Sequence, residues 1–414
     1  QVISKLDESN IPFDFILLDI DHLANQSPFT INTTAFPHFD QLVQRLNDHN
    51  RYLIRITDPH IPVDHKLAQE GIDNSYFILN NSQPFVGECW PGKSMWPDFL
   101  NPKVVDWWGS QFNQNSFPEN VWIWNDMNEP SVFYQLDGTI PKSAIHFGGY
   151  EDREVHNIYG LLNGYATYQG LLRRNPNERP FILSRSHFSG SQKYVWIWTG
   201  DNQATWNDLE ESIAHISTFG LCGFPYVGAD VGGFKNDPSP RLLLRWFQAA
   251  AWTNPFFREH SIIDSKSREP YLYDEPIHTA IRNRYKLLPL FYTAARKSNL
   301  TGMPIVRPLW TEYPDFPKIH SIQNQVLVAD SLVVCPVVSL DDDTRGSLDV
   351  YPFPGLHYDF FSGMEVPSKK LTVDIQENIP VFIIGGKIFL TFSHIGSTVN
   401  ETYSKPLTLH VAFD

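Results

Sequence analysis

The stretch from Val121 to Pro130 constrains the fold of this chain more than any other. It begins with the apolar and aromatic run Val-Trp-Ile-Trp, the pattern of a strand that is buried on both faces. It then turns abruptly to Asn, Asp, Asn and Glu, and Pro130 prevents a regular strand from continuing. A buried strand that ends in a carboxylate, here Asp126, delivers it to the rim where parallel α/β proteins do their chemistry. The alternative is an ordinary acidic loop after a strand.

The first 300 residues repeat this arrangement. Short apolar stretches that close with a polar residue alternate with stretches of helical periodicity, which predicts an α/β fold, a (β/α)8 barrel of the TIM type over residues 1–300. Seven strands are predicted: 13–21, 52–59, 121–126, 181–185, 194–201, 224–230 and 256–260. The predicted helices are 39–50, 104–112, 153–174, 206–220, 241–252 and 276–297.

A barrel of eight strands would need its first strand before Gln1. We therefore expect a chain that begins inside a longer protein, with a barrel that is incomplete at its N-terminus. Such a barrel leaves strand edges unpaired beside Phe15 and Leu17, and unpaired edges favour aggregation.

The pattern changes near residue 300. Short β-rich stretches separated by Asp, Gly, Pro and Ser predict an all-β sandwich over residues 301–395, and residues 396–414 are interpreted as the start of a truncated distal β domain. Within the barrel region, residues 61–102 show little periodicity and residues 133–151 are rich in loop formers. We expect both to be long loops, which are often functional.

Composition and charge exclude several classes. A net charge of −14 without a Lys/Arg cluster argues against nucleic acid as a partner. No apolar run approaches the roughly 18 residues of a membrane span. The three cysteines, Cys89, Cys222 and Cys335, allow at most one disulfide and form no Cys-x-x-Cys metal motif. Five Asn-x-Ser/Thr sequons permit a location in the secretory pathway.

The residues that close the predicted strands indicate the ligand. Carboxylates and an Arg bind hydroxyl groups, and aromatic faces bind the C–H surface of a sugar, so this rim suits a neutral polyhydroxylated ligand. Two carboxylates on different strands can divide into a nucleophile and a general acid. The rim residues are Asp19, Asp58, Asp126, Arg185, Asp201, Asp230 and His260, with Trp90, Trp124, Trp198 and Phe234 nearby in sequence.

A metal or nucleotide site is a weaker interpretation of the same rim. An acid-rich rim can hold Mg²⁺ or Ca²⁺, but no glycine turn or closing Glu of a calcium loop follows Asp19 and Asp21. The histidines have no His-Glu-x-x-His spacing for zinc. Gly228, Gly232 and Gly233 lack the Gly-x-Gly-x-x-Gly spacing of a nucleotide site. We therefore expect no metal and no cofactor.

These motifs resemble glycoside hydrolase family 31, whose members use a (β/α)8 barrel. The similarity spans nearly the whole chain and is carried by residues 124–131 (Trp-Asn-Asp-Met-Asn-Glu-Pro-Ser), 198–202 (Trp-Thr-Gly-Asp-Asn), 228–234 (Gly-Ala-Asp-Val-Gly-Gly-Phe) and 258–260 (Arg-Glu-His). The resemblance implies that Asp126 is the nucleophile and Asp201 the acid/base. It implies a substrate-binding set of Asp19, Asp58, Trp90, Trp124, Met127, Arg185, Trp198, Asp230, Phe234 and His260.

Within the family, the chain is most similar to the α-glucosidases of the endoplasmic reticulum, on residues 58–61, 89–92, 155–160 and 189–192. This implies removal of α-1,3-linked glucose from N-glycans, a lumenal location and a non-catalytic β subunit as partner. An α-1,4-glucosidase of the lysosomal or digestive type remains the alternative enzyme. A non-catalytic glycan-binding fragment is the alternative outside enzymes, although Asp126 and Asp201 are both present.

The two carboxylates also predict a mechanism. A retaining glycosidase holds its two carboxyl groups about 5–5.5 Å apart, and an inverting one roughly 6.5–9.5 Å apart. We predict the shorter class for Asp126 and Asp201, and a covalent glucosyl ester on Asp126. Asp201 must start protonated, and we expect Trp198 to desolvate it. We expect Arg185 to favour the ionised form of Asp126.

Overall fold

The computed structural model describes residues 1–351, 353–367 and 369–414. The chain divides into two compact units, residues 14–197 and residues 1–13 with 198–414. Among the described residues, no helix combines the length and the hydrophobicity needed to cross a membrane. All three cysteines are free: Cys89 and Cys335 are buried, whereas Cys222 is exposed.

The unit of residues 14–197 is built on parallel strands in chain order, as predicted. The neighbouring strands are Phe15–Leu18, Tyr52–Ile56, Val121–Asn125, Ile182–Ser184 and Trp196–Trp198, the last of which ends at the unit boundary. The strands are joined by helices Phe39–Asp48, Lys66–Asp73, Pro102–Ser110, Asp152–Val155 and Tyr159–Arg174. Short 3-10 turns cover Ile20–His22, Ala24–Gln26, Phe147–Gly149, His156–Ile158 and Ser191–Lys193.

Two predictions for this unit are wrong in detail. Residues 61–102 are not one loop, because they contain helix Lys66–Asp73, a hairpin and a three-stranded antiparallel sheet: Ile61–Pro62, Leu79–Asn80, Gln83–Pro84, Val86–Cys89 and Gly92–Met95. These strands are two to four residues long, too short to show a period. The helix predicted over 153–174 is also interrupted by the 3-10 turn His156–Ile158.

The second unit continues the alternation of strands and helices. Its helices are Val2–Glu8, Trp206–Leu221, Pro240–Thr253, Glu275–Lys286 and Leu288–Thr301, and its parallel strand pair is Asp230–Val231 with Arg258–Glu259. Side chains of Thr205 and Ser239 accept backbone N–H groups of the first turn of their helices, which fixes where the helices begin. The single helix predicted over 276–297 is wrong, because it breaks at Leu287, just before Pro289.

The strand predicted over 224–230 is also interrupted. It pairs as Val227–Gly228, and Asp230 begins the next short strand. A side chain at Gly228 would lie 1.8 Å from the carbonyl oxygen of Phe256, so only glycine allows this close approach of two backbones. The interruption at residue 229 changes the direction of the backbone just before Asp230.

The region after residue 302 is dominated by antiparallel strands, as predicted. A five-stranded sheet has the order Val306–Pro308, Val326–Val328, Leu332–Val334, Val381–Ile384 and His357–Asp359. Two smaller sheets pair Ser347–Val350 with Leu371–Asp374, and Ile388–Phe392 with Leu407–Val411. Strand Ile388–Phe392 was not predicted. The remaining elements are the 3-10 turns Pro270–Leu272, Leu309–Thr311 and Pro317–Ile319 and the helices Leu340–Arg345 and Val399–Thr402.

Candidate active site

In the unit of residues 14–197, four of the predicted site residues follow the carboxyl ends of neighbouring parallel strands. Parallel strands present these ends at one edge, so the topology itself gathers the side chains. Three come directly after the last strand residue and one comes two residues later: Asp19, Asp126, Arg185 and Asp58. The sequence pattern of a buried strand closed by a polar residue therefore identified this rim correctly.

Asp126 and Arg185 form the centre of this group. Nη1 of Arg185 lies 3.1 Å from Oδ1 of Asp126. The same guanidinium donates from Nε and Nη2 to the two carboxylate oxygens of Glu129, at 2.8 and 3.0 Å. A guanidinium fork bound on two edges has a fixed plane. Glu129 therefore orients Arg185, and Arg185 holds Asp126.

Burial and charge act on Asp126 in opposite directions. Its side chain is only 12% exposed, and burial raises its pKa to about 7, opposed by Arg185 and assisted by the charges of Glu129 and Asp19. The backbone N–H of Met127 also lowers this pKa. The predicted influence of Arg185 thus has the expected direction, but burial outweighs it.

Asp58 is fully buried beside the same strand end. Neither of its carboxylate oxygens has a hydrogen-bond partner among the described residues. Nε2 of His60 lies 3.7 Å from Oδ2 of Asp58. Burial lowers the pKa of His60 to about 3, so this imidazole is neutral. Burial, followed by the charges of Asp126 and Asp19, holds the pKa of Asp58 well above its ordinary value.

Asp19 is fixed by its own backbone turn. Its Oδ1 accepts the N–H of Ile20 at 2.7 Å. Nδ1 of the buried His22 lies 2.6 Å from the carbonyl oxygen of Asp19, and Nε of Arg55 donates to Nε2 of His22 at 3.1 Å. These contacts require the neutral tautomer with its proton on Nδ1, which agrees with a His22 pKa lowered to about 4 by burial.

The asparagines of the Asp126 motif are structural. Nδ2 of Asn125 donates to the carbonyl of Thr57 at 3.1 Å. The amide of Asn128 donates to Ser184 Oγ at 2.9 Å and accepts the N–H of Ser186 at 2.9 Å. Both asparagines bridge the turn that carries Asp126 to the adjacent strands, so they support the position of Asp126.

The predicted apolar site residues of this unit, which are two tryptophans and a methionine, differ in exposure. Trp124 is 2% exposed and Met127 is 4% exposed, whereas Trp90 is 41% exposed and packs edge-on against Phe133 at 4.8 Å between ring centroids. Sδ of Met127 accepts from Nη2 of Arg185 at 3.1 Å, and its backbone has a left-handed φ of 54°, an uncommon conformation for a side-chain-bearing residue. Trp90 therefore offers an accessible apolar face.

In the second unit, Asp201 lies on a loop that is fastened to another loop. The carbonyl of Asn202 accepts the N–H groups of Phe234 and Lys235 at 2.9 and 3.0 Å, and Nδ2 of Asn202 donates to the carbonyl of Asp230 at 3.1 Å. Asp201 itself is exposed, so the expected desolvation by the buried Trp198 is wrong in this structure. The backbone is thus fixed beside Asp201 while its side chain stays accessible.

Asp230 is a buried anion of this unit. Its Oδ1 accepts from Nη2 of Arg258, and its Oδ2 lies 3.8 Å from Nδ1 of His260. Burial raises its pKa, but Arg258 and His260 together outweigh burial and hold the pKa below its ordinary value. The Phe234 ring lies 4.8 Å from the His260 ring. The structure thus groups Asp230, Phe234 and His260, which the sequence had named separately.

Three functional residues were missed by sequence reasoning. Glu129 orients Arg185, Arg258 neutralises Asp230 and stacks 5.2 Å from the Trp198 ring, and Asn202 fastens the Asp201 loop. All three lie inside motifs that the sequence analysis singled out. For Glu129 and Arg258, a charge opposite that of a residue in a neighbouring motif was the available signal, whereas Asn202 offered only its position next to Asp201.

The comparisons with known proteins agree with this geometry. Residues 1–294 match the model of the glycosyl hydrolases family 31 TIM-barrel domain, and residues 302–389 match the family 31 C-terminal domain. A barrel of parallel strands with carboxylates at their carboxyl ends is one architecture in which a pair of carboxylates can hydrolyse a glycosidic bond. The chain belongs to glycoside hydrolase family 31, as its motifs predict.

Individual relatives are also similar along the whole chain. The chain is 39% identical to "Probable glucan 1,3-alpha-glucosidase" of Oryza sativa subsp. japonica, covering 99% of this chain and 46% of that protein. It is 38% identical to "Neutral alpha-glucosidase AB" of Mus musculus, covering 100% of this chain and 45% of that protein. The chain thus spans about half the length of these curated relatives.

Solved structures give the same result. A crystal structure of the ER glucosidase II complex, made of a catalytic subunit and the binding domain of a regulatory subunit, superposes with a TM-score of 0.95 at 38% identity. The superposed region comprises 100% of this chain and 46% of the chain in that crystal structure. A family 31 α-glucosidase from Bacteroides thetaiotaomicron gives a TM-score of 0.83 at 29% identity. The match covers 100% of this chain and 66% of that chain. The predicted fold class is confirmed.

Proposed function

We propose that this protein is a retaining, exo-acting α-glucosidase that removes α-1,3-linked glucose from N-glycans. The contact between Arg185 and Asp126, 3.1 Å at the end of a barrel strand, is the observation that carries the proposal. It gives a buried carboxylate a fixed cation and a fixed orientation, as a nucleophile requires. The similarity to 1,3-α-glucosidases and to ER glucosidase II supports the linkage.

In the proposed mechanism, Asp126 attacks the anomeric carbon as the bond to the leaving oxygen breaks. Asp201 donates its proton to that oxygen, and the products are the free aglycone and a glucosyl ester on Asp126. Asp201 then takes a proton from water, whose oxygen attacks the anomeric carbon and returns the carboxylate of Asp126. Two inversions give net retention. Asp201 is exposed, so it can exchange protons with solvent between the steps.

The proposed substrate set divides by chemistry. Asp19, Asp58, Arg185, Asp230 and His260 bind sugar hydroxyls, while Trp90, Trp124, Met127, Trp198 and Phe234 provide apolar walls. The accessible face of Trp90 supports its assignment as an apolar wall. No metal and no cofactor takes part in this proposal.

Location and assembly are proposed from the relatives. The ER glucosidase II structure contains a catalytic and a regulatory subunit, and we propose a lumenal protein of the secretory pathway with a non-catalytic β subunit. We also propose the domain division of residues 1–300, 301–395 and 396–414 as barrel, proximal sandwich and start of a distal β domain. The antiparallel sheets after residue 302 support the β character of this region, although one of them pairs Ile388–Phe392 with Leu407–Val411 across the proposed boundary at 395/396.

The substrate is tested with the full-length protein and disaccharides of α-1,3- and α-1,4-linked glucose. We expect a higher kcat/KM for the α-1,3 linkage. We also expect α-glucose to be released as the first product, which NMR of the anomeric proton detects. A preference for the α-1,4 linkage would support the lysosomal or digestive type of enzyme instead. Binding of glucosylated glycan without hydrolysis would support a glycan-binding protein.

The two carboxylate roles are tested separately. Asp126→Asn should abolish turnover and keep glycan binding. Asp201→Asn should keep more activity on aryl glucosides, whose leaving groups need no proton, than on disaccharides. Azide added to an Asp126→Gly enzyme should give the β-glucosyl azide, because azide replaces the nucleophile on its own face. Formation of the α-azide would exclude Asp126 as the nucleophile.

A further inference from the structure

Asp58 and Asp126 occupy equivalent positions on adjacent parallel strands. Ile56 pairs with Trp124, and the N–H of Thr57 donates to the carbonyl of Trp124 at 2.7 Å. Both carboxylates come two residues after this pair, and after burial the charge of Asp126 is the largest influence on the pKa of Asp58, so the two carboxyl groups are neighbours. Adjacent strands are about 4.8 Å apart. The topology thus brings two buried carboxyl groups together.

Two buried carboxyl groups at this spacing do not both ionise, because like charges in a low-dielectric site repel strongly. The pair holds one proton, and the surroundings decide which residue carries it. Asp126 has the guanidinium of Arg185 at 3.1 Å. Asp58 has only the neutral imidazole of His60 at 3.7 Å and no hydrogen-bond donor among the described residues. The negative charge is therefore more stable on Asp126.

We propose that Asp58 is a positioning residue that carries the proton of the Asp58–Asp126 pair and thereby keeps Asp126 ionised for attack. The proposal rests on the function proposed above and adds a role for a residue first assigned to sugar binding. It explains how a nucleophile with a 12% exposed side chain retains its charge in a rim rich in acids. Burial and the charge of Asp126, which raise the pKa of Asp58, act in the same direction.

Several charged and titratable groups of the described residues enter this balance. His60, two residues further along the same loop, is neutral. Arg185 favours ionisation of Asp58, but burial and the neighbouring carboxylates outweigh the effect of Arg185. Burial raises the pKa of the Cys89 thiol, so that group is uncharged and supplies no cation. The groups that act on Asp58 from neighbouring elements are Asp19, Cys89, Asp126, Glu129 and Arg185.

Infrared difference spectroscopy of the full-length protein tests the proton directly. At neutral pH the wild type minus Asp58→Asn spectrum should contain the C=O band of a protonated carboxylic acid. In an Asp126→Asn background, the neighbouring charge is absent, and the pH at which the Asp58 band disappears should move down. Absence of the band at neutral pH, or a band that does not respond to Asp126→Asn, overturns the proposal. Neither measurement requires turnover, so a failure of the proposed function stays distinguishable.

Kinetics provide the second test. Asn has the shape and the hydrogen-bond donor of a protonated Asp, so Asp58→Asn should lower kcat/KM by no more than about tenfold, and Asp58→Ala by at least about a hundredfold. The acid limb of kcat/KM should stay in place in Asp58→Asn. If Asp58 is instead an ionised sugar ligand, Asp58→Asn loses as much activity as Asp58→Ala and moves the acid limb to lower pH by a unit or more. Thermal unfolding identifies any variant that does not fold.

Discussion

Arg185 and Glu129 are joined by two hydrogen bonds, of 2.8 and 3.0 Å, that leave Nη1 of the guanidinium for Asp126. Glu129 follows Asp126 by three residues in the same motif. One carboxylate of the motif therefore aims the cation that binds the other. This relationship makes opposite predictions for the two residues that surround Asp126.

Arg185→Met removes the cation from Asp126. Because Arg185 lowers the pKa of Asp126, its loss should move the acid limb of kcat/KM to higher pH and reduce kcat/KM by about a hundredfold or more. The pH dependence of hydrolysis of an aryl α-glucoside measures both. Arg173→Met is the matched control, because Arg173 forms an exposed ion pair with Asp106. An acid limb that stays in place would contradict the assignment.

Glu129→Gln should move the same limb in the other direction. The charge of Glu129 raises the pKa of Asp126, so the neutral amide should shift the acid limb to lower pH. Gln also holds the guanidinium less firmly, and we expect kcat to fall by about tenfold. A shift to higher pH would show that Glu129 acts on Asp126 mainly through Arg185.

Asp126→Asn should stabilise the protein at neutral pH. Burial raises the pKa of Asp126 from 3.8 to about 7 in the folded state, so the ionised form is disfavoured by folding, and stability falls as the pH rises from about 4 towards 7. The neutral amide removes this cost, on the order of 2–4 kcal/mol at pH 7.5. Thermal unfolding of both proteins should show the difference at pH 7.5 and lose it near pH 4. Equal stability at both pH values would argue against the raised pKa.

Asp230→Asn should destabilise the second unit. It leaves the buried Arg258 without its anion, a loss of about 3–5 kcal/mol for a buried pair. The pKa of Asp230 is lowered in the folded state, so its contribution is present above the ordinary carboxyl pKa and is lost as the pH falls below it. Chemical unfolding at neutral pH measures the loss. The exposed Asp264→Asn serves as control and should change stability little.

Gly233→Ala should disrupt the loop that carries Asp201. Gly233 has a φ of 81°, and a Cβ there would lie 2.3 Å from the backbone nitrogen of Ala204. Gly302→Ala is a matched control, with a φ of 76° and no atom within 4 Å of the added Cβ. The control should lose only about 1 kcal/mol from the strained φ. Gly233→Ala should lose more stability than Gly302→Ala and should also reduce kcat. Equal losses of stability in the two variants would show that the structure relieves the clash at no cost.

The sequence alone determined the parallel α/β architecture and the rim. A buried apolar strand closed by a polar residue is a local pattern, and it correctly located Asp19, Asp126 and Arg185 at strand ends. The family motifs are equally local. Short elements were missed or misjudged because two to five residues give no reliable period, as in residues 61–102 and in strand Ile388–Phe392.

The electrostatics of the site follow from contacts that form only on folding. The bidentate contact of Glu129 with Arg185 and the exposure of Asp201 depend on which side chains meet after folding. So does the lack of a hydrogen-bond partner for Asp58 among the described residues. The pKa of Asp126 shows the physical reason. The identity of a residue fixes its ordinary pKa, but burial and distances to other charges, which no linear pattern contains, set the value in the protein.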